Sequence, residues 1–230
     1  MAACTGSYEV CEYLLKKGAD VNKTDCEGSS PLHDICAFDF VDLIALFIEH
    51  GACVNHQSSC GETPLFCAAQ NHQSSAIRKL FQHNADVNTA NCHGVSALFE
   101  SASSGCIHTT WTLLDIGAEL ISIESESFVN SIITKSIYEN IEYTELLQLL
   151  LLCGFRAQPE WLINLRKNSV FMQQCSIVKL LEDNLSVVKS LQARCILEIR
   201  KSIAKPISIE VRRLGLPVKL QDQICFREYE

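Results

Sequence analysis

Apolar positions recur along this chain at helical rather than strand spacing. Leu43, Ile44, Phe47 and Ile48 make one stripe, and Leu146 to Leu152, interrupted by Gln148 and closing at Gly154, makes another. Ile177, Leu180, Leu181, Leu185 and Val188 form a third, and Leu191, Cys195 and Ile199, at i, i+4 and i+8, a fourth. The pattern predicts an all-α fold. Helices pair antiparallel through residue 155, and polar, glycine-bearing turns are expected near 22–29, 55–62 and 88–95.

A second regularity fixes the register. Gly18-Ala19, Gly51-Ala52, Asn84-Ala85 and Gly117-Ala118 stand 33 residues apart. Ser30-Pro31-Leu32, Thr63-Pro64-Leu65 and Ser96-Ala97-Leu98 keep the same step, as do Gly28, Gly61 and Gly94, and Val21-Asn22, Val54-Asn55 and Val87-Asn88. Small or slim pairs repeat with them at Ala2-Ala3, Ile35-Cys36, Ala68-Ala69 and Ser101-Ala102. Each anchor has a mechanical reason. The turn glycines supply positive φ before each unit. Ser30 and Thr63 can cap a helix that begins at Pro31 or Pro64, where no amide donor is needed. Gly51 can end the second helix in a left-handed conformation.

A 33-residue period with a Thr-Pro-Leu-His-like signature resembles the ankyrin repeat. That resemblance implies a solenoid in which each unit buries its faces only by stacking on its neighbours. Residues 1–157 hold one partial repeat, three clear ones and a degenerate one ending near Phe155. In the last, Ser127 stands for the turn glycine, Val129-Asn130-Ser131 stands for Thr-Pro-Leu, and the second helix is displaced by four residues. Met1 falls at the tenth position of a repeat, so the opening hairpin is missing and Tyr13 and Leu14 are expected to lose cover and fray.

From Gln158 the period is lost. Residues 158–189 read as a helical cap or linker, opening at Pro159-Glu160-Trp161. The segment Ser190-Leu191-Gln192-Ala193-Arg194-Cys195, with Ile199 beyond, and then Leu214-Gly215-Leu216-Pro217, is similar to the SOCS box. With the repeats before it, the chain resembles the ankyrin-and-SOCS-box family over essentially its whole length. The resemblance implies that Leu191, Cys195 and Ile199 dock Elongin C, with Elongin B alongside. It also implies that Leu214, Leu216 and Pro217 meet a cullin, cullin-5 by the form of the segment, carrying a RING subunit. Gly215 departs from the family's proline there. From the residues alone, Leu191 and Cys195 could equally be core positions of a terminal cap.

Charge and composition narrow the function classes. Of the 230 residues 47% are apolar and 20% charged, as in a folded protein. No apolar run reaches the roughly 18 residues of a membrane span, and the first residues show no secretory pattern. The cytoplasm is the expected compartment, with the nucleus open as a second. Residues 1–157 carry 7 Lys+Arg against 19 Asp+Glu, and residues 158–230 carry 12 against 8. Such an acidic repeat region reads first as a solvated outer surface, since repeat helices are often acidic outside, and second as a preference for a basic target approached under charge steering, against nucleic acid.

The 13 cysteines lack any CxxC or zinc spacing and read as reduced, packed residues with no metal. No GxGxxG, Walker loop, GxSxG or HExxH occurs, so the chain reads as non-enzymatic and needs no cofactor. His33 takes the place of the structural histidine of such repeats.

Binding is expected instead on the hairpin tips and first-helix ends, which on this ruler are Cys26, Glu27, Ser29 and Phe38, then Ser59, Cys60, Glu62, Gln70 and Asn71, then Cys92, His93 and Val95. Glu27, Phe38, Glu62, Asn71 and His93 are the candidate contacts for a target protein, with Phe38 as the aromatic anchor. The sequence thus supports a substrate-recognition adaptor of an Elongin–cullin ubiquitin ligase, or else a plain ankyrin scaffold without ligase coupling.

Overall fold

A computed structural model describes residues 3–120, 123–138, 143–153 and 155. After a 3-10 turn at Ala3–Thr5 come α1 (Tyr8–Lys16), α2 (Pro31–Ala37), α3 (Val41–Glu49), α4 (Pro64–Gln70) and α5 (Ser74–Gln82). Then follow α6 (Ala97–Ser103), α7 (Ile107–Ile116), α8 (Glu126–Tyr138) and α9 (Thr144–Cys153). Among the described residues β-pairing is confined to one isolated bridge, Ala90 with Ser96. The expected all-α repeat fold is present. The expected segments 158–189 and 190–230 lie outside the described residues.

The ruler becomes helix starts. First helices begin at 31, 64 and 97, and second helices at 8, 41, 74 and 107. The Thr63 hydroxyl accepts from the Phe66 amide at 3.2 Å, and the Ser96 hydroxyl from that of Phe99 at 3.2 Å. These bonds satisfy donors that the first turn leaves open. Second helices end on Gly18, Gly51, Asn84 and Gly117 at φ of 84, 89, 63 and 115°. Asn84 can stand in the glycine's place because asparagine tolerates the left-handed region best among residues with a side chain.

The residues divide into two compact units, Met1–Ser101 and Ala102–Glu230. In the first, α2 packs on α4, and Leu32, Ile35, Cys36, Leu65, Ala68 and Ala69 are all buried. Alanines at 68 and 69 bring the two helices close, and each buried Leu or Ile contributes roughly 1.5–3 kcal/mol over exposure. Asn22 ties one repeat to the next. Its amide donates to the Gly51 carbonyl at 2.9 Å, and its oxygen accepts from the Cys53 amide at 2.8 Å. Asn55 repeats the pattern with Asn84 and Asp86.

In the second unit α7 packs on α9, whose Leu146, Leu147, Leu149 and Leu150 are fully buried, so this apolar run is a core helix. The Tyr143 hydroxyl donates to the Ser103 carbonyl at 2.7 Å. Helix α9 starts at Thr144, four residues beyond the ruler as expected, but α8 departs from it. The ruler would start that helix at Asn130, whereas it starts at Glu126 and runs for 13 residues. With serine at 127 in place of the turn glycine, Ser125 takes over as cap, its hydroxyl accepting from the Phe128 amide at 3.2 Å. No described helix is long and apolar enough to cross a membrane.

Candidate functional site

Three hairpin tips and the ends of the first helices present the candidate residues. The tips close through Asp25 N–H to Ser29 O, Ser58 N–H to Glu62 O, and Asn91 N–H to Val95 O, at 3.0, 2.9 and 2.9 Å. Side chains 33 residues apart brace them. Asp25 Oδ1 accepts from the Glu27 and Ser29 amides, and Asn91 Oδ1 from those of His93 and Val95. The Ser58 hydroxyl accepts from Glu62 N–H. Adjacent tips are joined by the backbone. Ser59 N–H donates to Glu27 O at 2.9 Å, and Cys92 N–H to Cys60 O at 2.8 Å.

That junction leaves no room at Gly61, where a Cβ would sit 2.9 Å from the Cys92 nitrogen. Main-chain atoms are therefore consumed in holding the tips, and side chains are left to face outward. Glu27, Cys60, Cys92 and His93 are exposed, and Glu62 is half-buried.

His33 fastens this row from below. Its Nδ1 accepts from the Ser30 amide at 3.1 Å and lies 2.9 Å from the Ser30 hydroxyl, completing a capping box at the start of α2. Since Nδ1 accepts, the ring proton sits on Nε2, which donates to the Glu62 carbonyl at 3.1 Å. His56 stands edge-on to the ring at 5.7 Å and bonds the Gly28 carbonyl through Nε2 at 3.0 Å. Burial lowers the pKa of His33 below the ordinary 6.5, against the opposing pull of the Glu62 carbonyl and with His56 adding to the decrease. The neutral ring is what the bonds require. The structural role expected for His33 is the one it has.

Phe38 and Asn71 occupy equivalent places at the C-terminal ends of α2 and α4. A seven-residue helix is about 10 Å long at 1.5 Å per residue, which sets the separation of this row from the tips. Phe38 is 57% exposed and stacks on Phe40 with centroids 5.9 Å apart. Asn71 is exposed while its amide returns to the Cys67 carbonyl at 2.9 Å. The expected anchor is thus a solvated aromatic on a rigid base. Leu191, Cys195, Ile199, Leu214, Leu216 and Pro217 lie outside the described residues.

One set of positions escaped the sequence pattern. Gly6, Asp39, His72 and Gly105, again 33 apart, all take positive φ, at 67, 58, 62 and 81°, in the loop between the two helices of a repeat. The glycines at 6 and 105 were the available signal, obscured by Asp39 and His72. Asp39 also accepts from the Ala76 amide at 2.9 Å, so one repeat caps the second helix of the next.

Three thiols of the first unit are held in their protonated form. Burial pushes Cys67 up to about 12 and Cys36 well above its ordinary value, and a hydrogen bond to the Asp34 carboxylate raises Cys4. These three stay protonated at neutral pH and are poor nucleophiles. The arrangement offers side chains on a fixed frame, which suits recognition.

Comparison with known proteins agrees. The family model for ankyrin repeats matches in three copies, over residues 1–91 and 54–124, more than half of the chain. The chain is 34% identical over 98 residues to human BCL-6 corepressor-like protein 1, covering 42% of this chain and 6% of that one. It is 32% identical over 119 residues to human neurogenic locus notch homolog protein 2, covering 51% and 5%. With the mouse B-cell lymphoma 3 protein homolog it is 32% identical over 104 residues, covering 45% and 23%. The chain thus spans a quarter or less of the length of these relatives.

Proposed function

The chain belongs to the ankyrin-repeat family, and on that premise we propose that it is a non-enzymatic adaptor that presents a bound protein to an Elongin–cullin ubiquitin ligase. Ankyrin repeats imply a protein-binding scaffold, and the observation that carries the binding half is Phe38, a solvated aromatic stacked on Phe40 at the C-terminal end of α2, one helix length from tips whose backbone is already satisfied. Burying such a ring against a partner is worth roughly 1.5–3 kcal/mol, enough to serve as an anchor.

The ligase half rests on the sequence of residues 190–217. Leu191, Cys195 and Ile199, spaced i, i+4 and i+8 in the sequence, would dock Elongin C, bound to Elongin B. Leu214, Leu216 and Pro217 would meet cullin-5 with its RING subunit. The adaptor would act by effective concentration, holding target lysines near a charged ubiquitin carrier and forming no covalent intermediate of its own. The cytoplasm is the compartment in which it would meet these partners.

A binding titration of the purified full chain against the Elongin B/C pair tests the ligase half. Saturable binding is expected, followed by capture of cullin-5 only when Elongin is present. Absence of Elongin binding would remove the ligase and leave a protein-binding scaffold. The binding half has its own test: cross-linking from position 38 to a captured protein, with Phe38→Ala abolishing capture and leaving the melting temperature unchanged.

A further inference from the structure

The cysteines are expected to be reduced and packed. Cys11 and Cys36 are buried, but Cys4, Cys26, Cys53, Cys60 and Cys92 are exposed, each lying outside the α-helices. Two of these stand on either side of one junction between hairpins. Cys60 is the third residue of the tip at 58–61, and Cys92 is the second of the tip at 91–94. The Cys92 amide donates to the Cys60 carbonyl at 2.8 Å. With standard backbone lengths that bond holds the two Cα atoms within about 6.7 Å of each other. A disulfide joins Cα atoms about 4.4–6.8 Å apart, so the two backbones already stand at bridging distance. The pairing is particular to this junction. At the preceding one the same bond runs from Ser59 to Glu27, and neither residue carries a thiol. Among the described residues, Cys92 to Cys60 is the one backbone bond outside the helices that joins two cysteines.

The tips themselves are held in place. Ser58 Oγ and Asn91 Oδ1 brace them, and Gly61 fits against the Cys92 backbone with no space for a Cβ. The two side chains are exposed instead, so each can turn through its χ1 rotamers without displacing a packed neighbour. A fixed backbone with free side chains gives each thiol a high effective concentration toward the other. We propose that Cys60 and Cys92 form a redox-modification site, closing a disulfide across the second and third hairpins with hydrogen peroxide as the oxidant. One thiolate attacks a peroxide oxygen: an S–O bond forms, the O–O bond breaks, and hydroxide leaves and takes a proton to become water. The second thiolate attacks that sulfur, forming the S–S bond and displacing the hydroxyl as a second water. Two electrons pass from sulfur to peroxide, and both thiol protons end in the waters. Exposure admits this chemistry at the tips, while burial withholds it from Cys36 and Cys67. The site lies on the tips that carry Glu62 and His93, but it does not depend on the adaptor reading, and either can fail alone.

The test treats the reduced full chain with hydrogen peroxide, alkylates the remaining thiols, and maps links by non-reducing digestion and fragmentation mass spectrometry. The expected product is a single chain lighter by two hydrogens, linked between residues 60 and 92 and restored by dithiothreitol. Cys60→Ser and Cys92→Ser should each abolish the link, and Cys26→Ser should leave it. Melting temperatures should stay unchanged in all three, because these side chains are already solvated. One of the first two variants should also accumulate a sulfenic acid that dimedone traps, since the thiol that would resolve it is gone. The parent chain should trap about tenfold less, because its second thiol captures the intermediate. Absence of a link between 60 and 92 at peroxide doses that oxidise Cys26 would overturn the proposal. So would links spread evenly among Cys26, Cys53, Cys60 and Cys92, or a link that forms only between two chains.

Discussion

His33 shows how a single side chain can be committed to one protonation state by its bonds. Its Nδ1 faces a backbone donor and its Nε2 a backbone acceptor, so a second ring proton would confront the Ser30 amide. Burial lowers the folded pKa below 6.5, so the unfolded chain takes up a proton that the folded chain resists. Stability from this group is therefore complete above about pH 6.5 and declines as pH falls through the interval beneath it. Melting temperatures of the parent and His33→Gln across pH 5 to 8 should differ most at pH 8 and converge toward pH 5, and a constant gap would deny the linkage. Glycine positions make a second contrast. Gly51 at φ 89° has open space for a Cβ, whereas one at Gly61 would press on the Cys92 backbone. Gly51→Ala should cost about 1–2 kcal/mol for the left-handed backbone alone, and Gly61→Ala roughly 1 kcal/mol more in urea melts. Both glycines were legible in the sequence, since each sat on the ruler. The crowding at Gly61 was not, because it comes from a hairpin some thirty residues away.

Among the elements, what the sequence made legible was whatever repeats with an unmistakable residue type. Helix starts at Pro31 and Pro64 and stops at Gly18 and Gly51 followed from proline and glycine chemistry. The inter-helix loop stayed hidden because Asp39 and His72 fill a left-handed position that Gly6 and Gly105 fill elsewhere. Residues with a Cβ endure that conformation at a cost, and Asp39 offsets it by capping α5 at the Ala76 amide. The two contributions can be separated. Asp39→Asn keeps the acceptor and tolerates the backbone, so its stability should stay within about 0.5 kcal/mol of the parent. Asp39→Gly relieves the backbone and loses the cap, while Asp39→Ala loses on both counts, by about 1–3 kcal/mol. Chemical denaturation should therefore rank Asn, then Gly, then Ala, and an alanine variant as stable as the asparagine one would contradict the cap. Among the described residues the His72 side chain makes no such cap, and His72→Gly should raise stability by up to about 1 kcal/mol. The early start of α8 has the same kind of origin: with the turn glycine gone, Ser125 became the nearest competent cap.

For the molecule as a whole, the repeats were legible from period alone, while the reading proposed for residues 190–217 rests on resemblance only and lies outside the described residues. A stripe such as Leu191, Cys195 and Ile199 has one periodicity whether it faces its own core or another protein, and hydrophobicity carries no label for the partner. Energetics can supply the label. If Leu191 fills a pocket on Elongin C, burying it there is worth roughly 1.5–3 kcal/mol, and about 1.4 kcal/mol is a factor of ten in affinity. Leu191→Ala should then weaken Elongin C binding by tenfold or more. The repeats should keep their melting temperature, since substitutions at distant, independent sites do not couple. If Leu191 is instead core, the same substitution leaves a cavity and costs about 2–5 kcal/mol of folding stability. Phe38→Ala completes the comparison: it should leave Elongin C affinity where it was while removing the target. An adaptor requires this independence, because the two ends hold different proteins. Lost stability in Leu191→Ala, with no Elongin C binding by the parent chain, would assign the tail to the fold and leave recognition to the repeats alone.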